Sequence, residues 1–182
     1  MGYPSAWETT FTLADGRRVD FRPIMSEDTD MLWNMFLTLS ERSLSHLVPP
    51  FTLERIKGWT SNIDYDRVLT IVAVIGEGDE QRIVGSTSLS FNAQEIFKHK
   101  AELGVTVHDD YQNMGIGTAM LKHLLNIARM KKLRKVWLLV NTSNNRAIHL
   151  YKKLGFEIEG KFFKERYSNG QYGDEYRMAI FL

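Results

Sequence analysis

The sequence has 182 residues and contains no cysteine. Disulfide bonds, cysteine-rich zinc sites and a cysteine nucleophile are therefore excluded. It also has no apolar run near the roughly 20 residues that a membrane-spanning helix needs. The N-terminus lacks the basic and then apolar pattern of a secretory signal. We therefore expect a cytoplasmic protein with no membrane partner.

Charge of one sign is also lacking, because 23 basic side chains are balanced by 22 acidic ones. This balance argues against a broad nucleic-acid-binding surface. The cations at 131–135 follow a predicted helix, where the helix dipole favours positive charge, so no nucleic-acid partner is predicted. Hydrophobic residues make up 43% of the chain and charged residues 25%. These values are typical of a globular protein, and we assign residues 1–182 to a single domain.

Apolar patterns predict a mixed sheet with helices on its faces, an α/β (α+β) architecture. Strands are predicted at 8–14, 17–22, 68–75, 82–91, 101–107, 136–140, 156–167 and 172–182. Helices are predicted at 27–39 after an N-cap at Ser26, at 53–62 after Thr52, at 115–130, and at 144–154 before Gly155. The dipeptides Asp15-Gly16 and Asn169-Gly170 predict hairpins near both ends. Residues 40–51 show no regular pattern.

The stretch 105–119 joins the end of a strand to the start of a helix through a short polar loop. Gly115 and Gly117 stand where the periodicity becomes helical. The first N–H groups of a helix have no partner within it, and the dipole there is positive. Glycines let a ligand approach this backbone closely. The stretch therefore favours a phosphate-binding site, with a helix start that binds nothing as the alternative.

Two common phosphate motifs do not fit this stretch. A dinucleotide fingerprint needs a third small residue where Met120 stands, and a P-loop needs a Gly-Lys-Ser/Thr ending that is absent. The pattern that remains is Gln112-x-x-Gly115-x-Gly117-Thr118. It resembles the pyrophosphate loop of the GNAT acetyltransferase superfamily, which has the form (Arg/Gln)-x-x-Gly-x-(Gly/Ala).

A second segment supports the same resemblance. Residues 144–156 are similar to the superfamily's N-x-x-A-x-x-L-Y-x-x-x-G-F segment, with matches at Asn144, Ala147, Leu150, Tyr151, Gly155 and Phe156. The resemblance covers residues 18–182. It implies the GNAT acyl-CoA N-acyltransferase fold, with a central, mostly antiparallel sheet flanked by helices. It also implies acetyl-CoA as co-substrate and no metal, and it leaves a homodimer open.

The resemblance also assigns the coenzyme site. Strand 101–107 is expected to separate from strand 136–140, so that its main chain pairs with the pantetheine amides. The N–H of Val107 is then the donor to the thioester oxygen, where negative charge develops. The residues expected to contact the coenzyme are Val105, Thr106, Val107, Gln112, Asn113, Met114, Gly115, Ile116, Gly117, Thr118, Asn144, Ala147, Tyr151 and Lys153.

Attack of an amine on a thioester needs a proton donor and a base. Tyr151 is the predicted acid, since a phenol with a pKa of about 10 is protonated at neutral pH. The alternative is a tyrosine that only packs. An ammonium ion has no lone pair, so a base must remove its proton. Glu102 is the first candidate, Glu41 the second and His108 the third.

These residues together predict an enzyme that transfers an acetyl group to a primary amine in a direct ternary complex. The alternative is a sensor that binds acetyl-CoA without turnover. Residues 155–161 and 169–174 are similar to polyamine acetyltransferases, whereas residues 15–28 are similar to domains that acetylate protein lysines. Polyamines, other small amines and protein amines therefore stay open as acceptors. Polyamine and lysine acceptors are cationic, which predicts acidic groups near the groove.

Overall fold

The computed structural model describes residues 2–168 and 170–182. The strands are β1 (Thr9–Thr12), β2 (Arg18–Pro23), β3 (Val68–Ile75), β4 (Arg82–Phe91), β5 (Lys100–Val107), β6 (Lys135–Asn141), β7 (Glu157–Ser168) and β8 (Gln171–Phe181). The helices are α1 (Thr29–Leu37), α2 (Glu41–Ser45), α3 (Leu53–Ser61), α4 (Ile116–Met130) and α5 (Asn145–Lys153). Single 3₁₀ turns lie at Ser5–Trp7, Ser26–Asp28, Gly78–Glu80, Glu95–Phe97 and Asp109–Tyr111.

The eight strands form one sheet in the order β1-β2-β3-β4-β5-β6-β8-β7. Neighbouring strands are antiparallel except β5 and β6, which are parallel. The predicted mixed sheet is therefore confirmed, with the two antiparallel hairpins at its edges. Gly16 in the first turn has a φ of 87°, a left-handed conformation that glycine adopts readily. In the second turn Asn169 lies outside the described residues, and Gly170 has a φ of 77°.

Helices cover the two faces of the sheet over different strands. One face packs against α4 and α5 in a core that includes Leu124 and Ile148. The other face packs against α1 and α3 through Leu32 and Ile56, and that core takes its strand residues from β3 and β4. Strand β3 has buried side chains on both faces, because alternate residues point to opposite sides. Its continuous apolar run is the pattern expected of such a central strand.

Strands β5 and β6 separate soon after they begin. They pair only over Lys100–Glu102 and Lys135–Trp137. Beyond that point β5 continues along β4, and β6 continues along β8. A wedge-shaped gap therefore opens between two strands of one sheet, as the sequence resemblance predicts.

The hydrogen bonding of β5 shows which of its backbone groups face this gap. The amide of His108 donates to the carbonyl of Val84 on the β4 side, at 2.9 Å. In an antiparallel ladder the residues alternate between hydrogen-bonded and non-bonded pairs. The backbone groups of Leu103, Val105 and Val107 therefore point away from β4 and into the gap.

The start of the first helix differs from the prediction. Ser26 does not cap a helix over 27–39, because Ser26–Asp28 forms a 3₁₀ turn and α1 begins at Thr29. The reason is Asp28, which is fully buried. It accepts hydrogen bonds from both terminal nitrogens of Arg22, at 2.7 and 2.6 Å, and from the amide of Met25 at 2.8 Å. Asp28 is thus half of an internal ion pair.

The segment 40–51 is more regular than its sequence predicts. It contains α2, whose N-cap Ser40 accepts a hydrogen bond from the amide of Ser43 at 3.2 Å. Five residues are too few to show a helical period or to form a stable helix alone. Contacts with distant residues hold α2 in place and are described below. None of the described helices is long and apolar enough to cross a bilayer.

Candidate active site

The gap between β5 and β6 opens into a cleft of about 620 Å³. Its walls come from β5, β6, α2, the loop before α4, the first turn of α4, and α5. Among the residues predicted to contact the coenzyme, those that line it are Val105, Thr106, Val107, Gln112, Asn113, Gly115, Gly117, Thr118, Asn144, Ala147, Tyr151 and Lys153. The fold therefore brings the two sequence motifs to one cavity.

Two of the predicted coenzyme residues do not contribute side chains to this lining. Met114 is exposed, and its sulfur is 3.9 Å from a guanidinium nitrogen of Arg17. Ile116 is fully buried in the core beneath α4. The Met114 side chain is exposed and the Ile116 side chain is in the core, so only the backbone of these residues is available to a ligand in the cleft.

The start of α4 has free backbone donors. Gly115 is the N-cap, with a φ of 86°, and no side chain in the described residues caps the first turn. A Cβ on Gly117 would lie 3.5 Å from a methyl carbon of Val107, so the loop and β5 are close to each other there. Unpaired N–H groups at a glycine-rich helix start are suited to bind a phosphate or another anion.

The side chain of Gln112 links three walls of the cleft. Its Nε2 lies 2.9 Å from the carbonyl oxygen of Val107 and 3.3 Å from Oγ of Ser43, and donates to both. Its Oε1 accepts a hydrogen bond from Arg146. Gln112 therefore ties the end of β5 to α2 and α5.

Helix α5 places Asn144 and Tyr151 on the same side of the cleft. Asn144 caps the helix, since its side-chain oxygen accepts a hydrogen bond from the amide of Ala147 at 3.2 Å. Tyr151 is only 7% exposed, and its ring packs 5.7 Å from that of Phe156. The cap and the aromatic contact both fix the orientation of α5 against the sheet.

The hydroxyl of Tyr151 makes no hydrogen bond within residues 2–168 and 170–182. In that same part of the chain, Arg177 Nε is the only fully buried side-chain nitrogen or oxygen without a hydrogen bond, and it lies 3.4 Å from a carboxylate oxygen of Glu159. The Tyr151 hydroxyl is therefore not sealed in the core, and it reaches the cleft that the residue lines. Burial raises the pKa of Tyr151 to about 12. The hydroxyl is consequently protonated at neutral pH.

The three candidate bases lie outside the lining. Glu102 stands where β5 and β6 are still paired, and burial raises its pKa while the charge of Arg177 opposes the rise. Glu41 is exposed in the first turn of α2. His108 has both ring nitrogens engaged: Nδ1 accepts from the amide of Asp110, and Nε2 lies 3.0 Å from Oγ1 of Thr38. A water molecule would have to connect any of them to the cleft.

The stretch 40–51 is expected to line the acceptor groove, but its sequence does not predict that α2 forms this wall. The wall brings Arg42, Ser43, His46, Leu47 and Val48 into the lining. The helix is attached at its start, because Asp109 accepts hydrogen bonds from the amide and the hydroxyl of Ser40, each at 2.8 Å, and from the hydroxyl of Ser43 at 2.7 Å. A serine followed by a glutamate is a weak N-cap signal, and the sequence of this segment offers no stronger one.

The far end of α2 is attached to the β7–β8 hairpin. Arg166 donates a hydrogen bond to the carbonyl of Leu47. Its guanidinium also lies 3.5 Å from the buried carboxylate of Glu175. A second hollow, of about 360 Å³, lies between this end of α2 and the hairpin, and Leu47 and Val48 line both cavities. Within the described residues, no group of three or more histidines and carboxylates is placed to hold a metal ion.

The relatives described here are N-acetyltransferases. The chain is 37% identical to the spermidine N(1)-acetyltransferase of Escherichia coli over 83 residues, which is 45% of each chain. The match thus spans less than half the length of that relative. It is 32% identical to the L-amino acid N-acetyltransferase AaaT of Escherichia coli over 117 residues, covering 64% of this chain and 70% of that one.

Structural similarity extends over nearly the whole chain. The ribosomal-protein-S5-alanine acetyltransferase from Vibrio fischeri superposes with a TM-score of 0.80 at 20% identity, covering 95% of this chain and 96% of that one. The sequence model of the Acetyltransferase (GNAT) family matches residues 33–156, which include α4, the wedge and both motifs. With its splayed strands, its glycine-rich helix start and this match over most of its length, the chain belongs to the GNAT acetyltransferase family.

Proposed function

We propose that the chain, acting as one domain, transfers the acetyl group of acetyl-CoA to a primary amine within a single ternary complex. The observation that carries this proposal is the wedge between β5 and β6. It exposes the backbone of Val105 and Val107 directly before the free amides of the α4 start. Extended backbone suits a ligand with amide groups, and the helix start suits its phosphates.

The residues present fit such a coenzyme. The pantetheine amides would pair with the backbone of Leu103 and Val105, whose groups face the gap. The carbonyl of Val107 already accepts from Gln112, so the N–H of Val107 is the group left for the thioester oxygen. The pyrophosphate would lie against the start of α4, with the cations Arg146 and Lys153 on α5 lining the same cleft.

The proposed reaction needs no covalent enzyme intermediate. The neutral amine attacks the thioester carbonyl carbon, a C–N bond forms and the C–S bond breaks. The sulfur leaves as a thiolate, and Tyr151 donates the proton that neutralises it. The amine proton passes to solvent or, through water, to Glu102, whose raised pKa makes it a better proton acceptor than an ordinary glutamate.

The residues of the cleft define the acceptor amine less closely than they define the coenzyme. The relatives are named as spermidine and L-amino acid acetyltransferases. Polyamines, other small amines and protein amines therefore all stay open as acceptors. Asp109 is the only acidic residue in the described lining of the main cleft, and Ser40 and Ser43 donate hydrogen bonds to its oxygens. The acidic groups expected for a cationic acceptor are thus confined to the second hollow, at Glu165 and Glu175.

The test is release of free coenzyme A thiol from acetyl-CoA in the presence of polyamines, amino acids, aminoglycosides and protein substrates, with binding of acetyl-CoA measured separately by calorimetry. Thiol release that depends on one class of amine supports the transferase. Tight binding with no release above the rate without enzyme supports the alternative, a sensor that binds the coenzyme without turnover.

A further inference from the structure

We infer that the acceptor amine carries a carboxylate close to its reacting nitrogen, and that Arg42 on α2 binds this carboxylate. This inference rests on the proposed function and narrows its substrate class. It starts from a cation in the cleft that the protein itself does not neutralise.

Arg42 lines the main cleft and is exposed. Its side chain makes no hydrogen bond or ion pair with any residue in 2–168 or 170–182. The neighbouring guanidinium groups differ, since Arg166 contacts Glu175 and Arg146 donates to Gln112. An arginine that faces a cleft without an internal partner is placed to bind an anion.

The described lining of the cleft around Arg42 holds a single acidic residue, Asp109. Burial lowers the pKa of His46, and the charges of Arg42 and Arg166 lower it further. Burial would raise the pKa of Asp109, but the hydrogen bonds from Ser40 and Ser43 outweigh it and lower the pKa. Asp109 is therefore ionised, yet it is directed at α2. A polyammonium ion would be repelled here, whereas a carboxylate would be attracted.

The coenzyme phosphates have other partners. Their expected site lies at the α4 start and α5, which pack on one face of the sheet. Helix α2 belongs to the opposite face, where Leu44 and Leu47 pack against the core of α1 and α3. Arg42 therefore lines the cleft from a different element than Arg146 and Lys153, the cations expected beside the phosphates.

The attachment of α2 at both ends gives Arg42 a defined position. Asp109 holds the start of the helix, and Arg166 holds the carbonyl that follows it. These bonds fix the backbone of Arg42 beside the cleft, and its planar guanidinium can form two parallel hydrogen bonds to a carboxylate. Such charge-assisted bonds discriminate by about 10- to 100-fold against a ligand that lacks the charge.

The experiment compares each common L-amino acid with its own carboxamide. Both binding to the protein saturated with coenzyme A and kcat/KM with acetyl-CoA are measured. The carboxamide has the lower amine pKa and hence more neutral amine, so a preference for the acid cannot come from the amine. The variants are Arg42→Gln and Arg42→Lys. The control is Lys57→Gln, which removes an exposed cation from α3 outside both cavities.

We expect the wild-type protein to prefer at least one acid over its carboxamide by about tenfold or more, in binding and in kcat/KM. Arg42→Gln should abolish this preference and leave the carboxamide within about threefold. Arg42→Lys should retain part of it, since lysine keeps the charge but not the paired geometry. Lys57→Gln should match the wild type, and the affinity for coenzyme A should be the same in all variants.

Two results would overturn the inference. One is equal use of acids and carboxamides by the wild type, or better use of polyamines than of either. The other is a loss of coenzyme A affinity in Arg42→Gln, which would assign the guanidinium to a coenzyme phosphate. Acid-selective binding without thiol release would contradict the transferase and leave the acceptor site standing, so the two failures can be told apart.

Discussion

The wall of the cleft formed by β5, α4 and α5 offers a ligand mainly backbone groups, whereas the wall formed by α2 offers side chains. On the first wall, which we call the coenzyme wall, the free groups are the amides of a helix start and the unpaired main chain of β5. On the second, the acceptor wall, they are Arg42 and His46. The binding groups of the coenzyme wall are therefore set by the positions of glycines and strand ends. Those of the acceptor wall are set by the side chains at a few positions.

The two walls also differ in how they are held. The coenzyme wall belongs to the sheet and to a helix of 15 residues with a fully buried face. The acceptor wall is a helix of five residues attached by hydrogen bonds to Asp109 and Arg166. Changes on the coenzyme wall should thus alter coenzyme affinity or the chemical step, and changes on the acceptor wall should alter the use of the amine.

The largest effect is expected at Tyr151. Replacing Tyr151 with Phe keeps the buried ring and removes the hydroxyl, so the fold should survive. If the phenol protonates the leaving thiolate, kcat should fall by about 10²- to 10⁴-fold with little change in coenzyme affinity. Steady-state rates at matched stability measure this. Tyr176→Phe, on β8 and outside the cleft lining, is the control.

The pH dependence gives a second test of the same group. An acid whose pKa is raised stays protonated up to that pKa, and for Tyr151 this is about 12. The rate of the wild type should therefore show no loss near pH 10, where an ordinary tyrosine ionises. A Tyr151→Phe rate within about twofold of wild type would mean that the hydroxyl is not the acid.

The next largest effect is expected at Gly117. The surrounding atoms leave ordinary contact distance for a Cβ, 3.5 Å from Val107, so Gly117→Val should fold. The added methyl groups would occupy the phosphate position and weaken coenzyme A binding by about tenfold or more in calorimetry. Gly160→Val, where a Cβ meets nothing within 4 Å, is the matched control. Unchanged affinity in the Gly117 variant would reject this placement of the pyrophosphate.

A smaller effect is expected at Asp109, and it should appear on the other wall. Asp109→Ala removes three hydrogen bonds that hold α2, and a helix this short does not persist without them. We expect the KM for the amine to rise about tenfold, with coenzyme affinity changed by less than about threefold. Asp110→Ala, at the exposed neighbouring carboxylate, is the control. Equal losses for coenzyme and amine would show that the two walls are not independent.

The pKa of Asp109 determines how its attachment of α2 changes with pH. The folded-state pKa lies below the usual value of 3.8. The stabilisation is therefore fully present above that value and is lost as the pH falls through the folded-state pKa. Between pH 6 and 8 the attachment of α2 should not change, and any change in amine KM over that range must come from another group.

The smallest effect is expected at Asn144, where two variants distinguish helix capping from coenzyme binding. Asn144→Ala loses the cap of α5 and should lower the free energy of unfolding by about 1 kcal/mol. Asn144→Asp keeps a capping oxygen and loses the amide donor. If that donor serves the coenzyme, the aspartate variant should retain stability and bind coenzyme A about fivefold more weakly. Full affinity in the aspartate variant would leave Asn144 as a cap alone.

Several features of this protein follow from its sequence alone. The switch from strand to helical periodicity at Gly115 places the start of α4 to within one residue, because loop and helix differ in local chemistry. The continuous apolar run of β3 predicts a strand buried on both faces, and Gly155, with a φ of 94°, ends α5 as expected. These features depend on residues that are close together in the chain, so local patterns are enough to predict them.

Only the tertiary structure decided the rest. The local sequence predicts a helix capped by Ser26, whereas the folded chain pairs Asp28 with Arg22 and begins α1 at Thr29. It also predicts no regular structure at 40–51, where Asp109, 69 positions from Ser40, holds α2. The partial pairing of β5 with β6 is likewise invisible in either strand by itself. Each of these features joins residues far apart in sequence, and its energy comes from hydrogen bonds and ion pairs that exist only when the chain has folded.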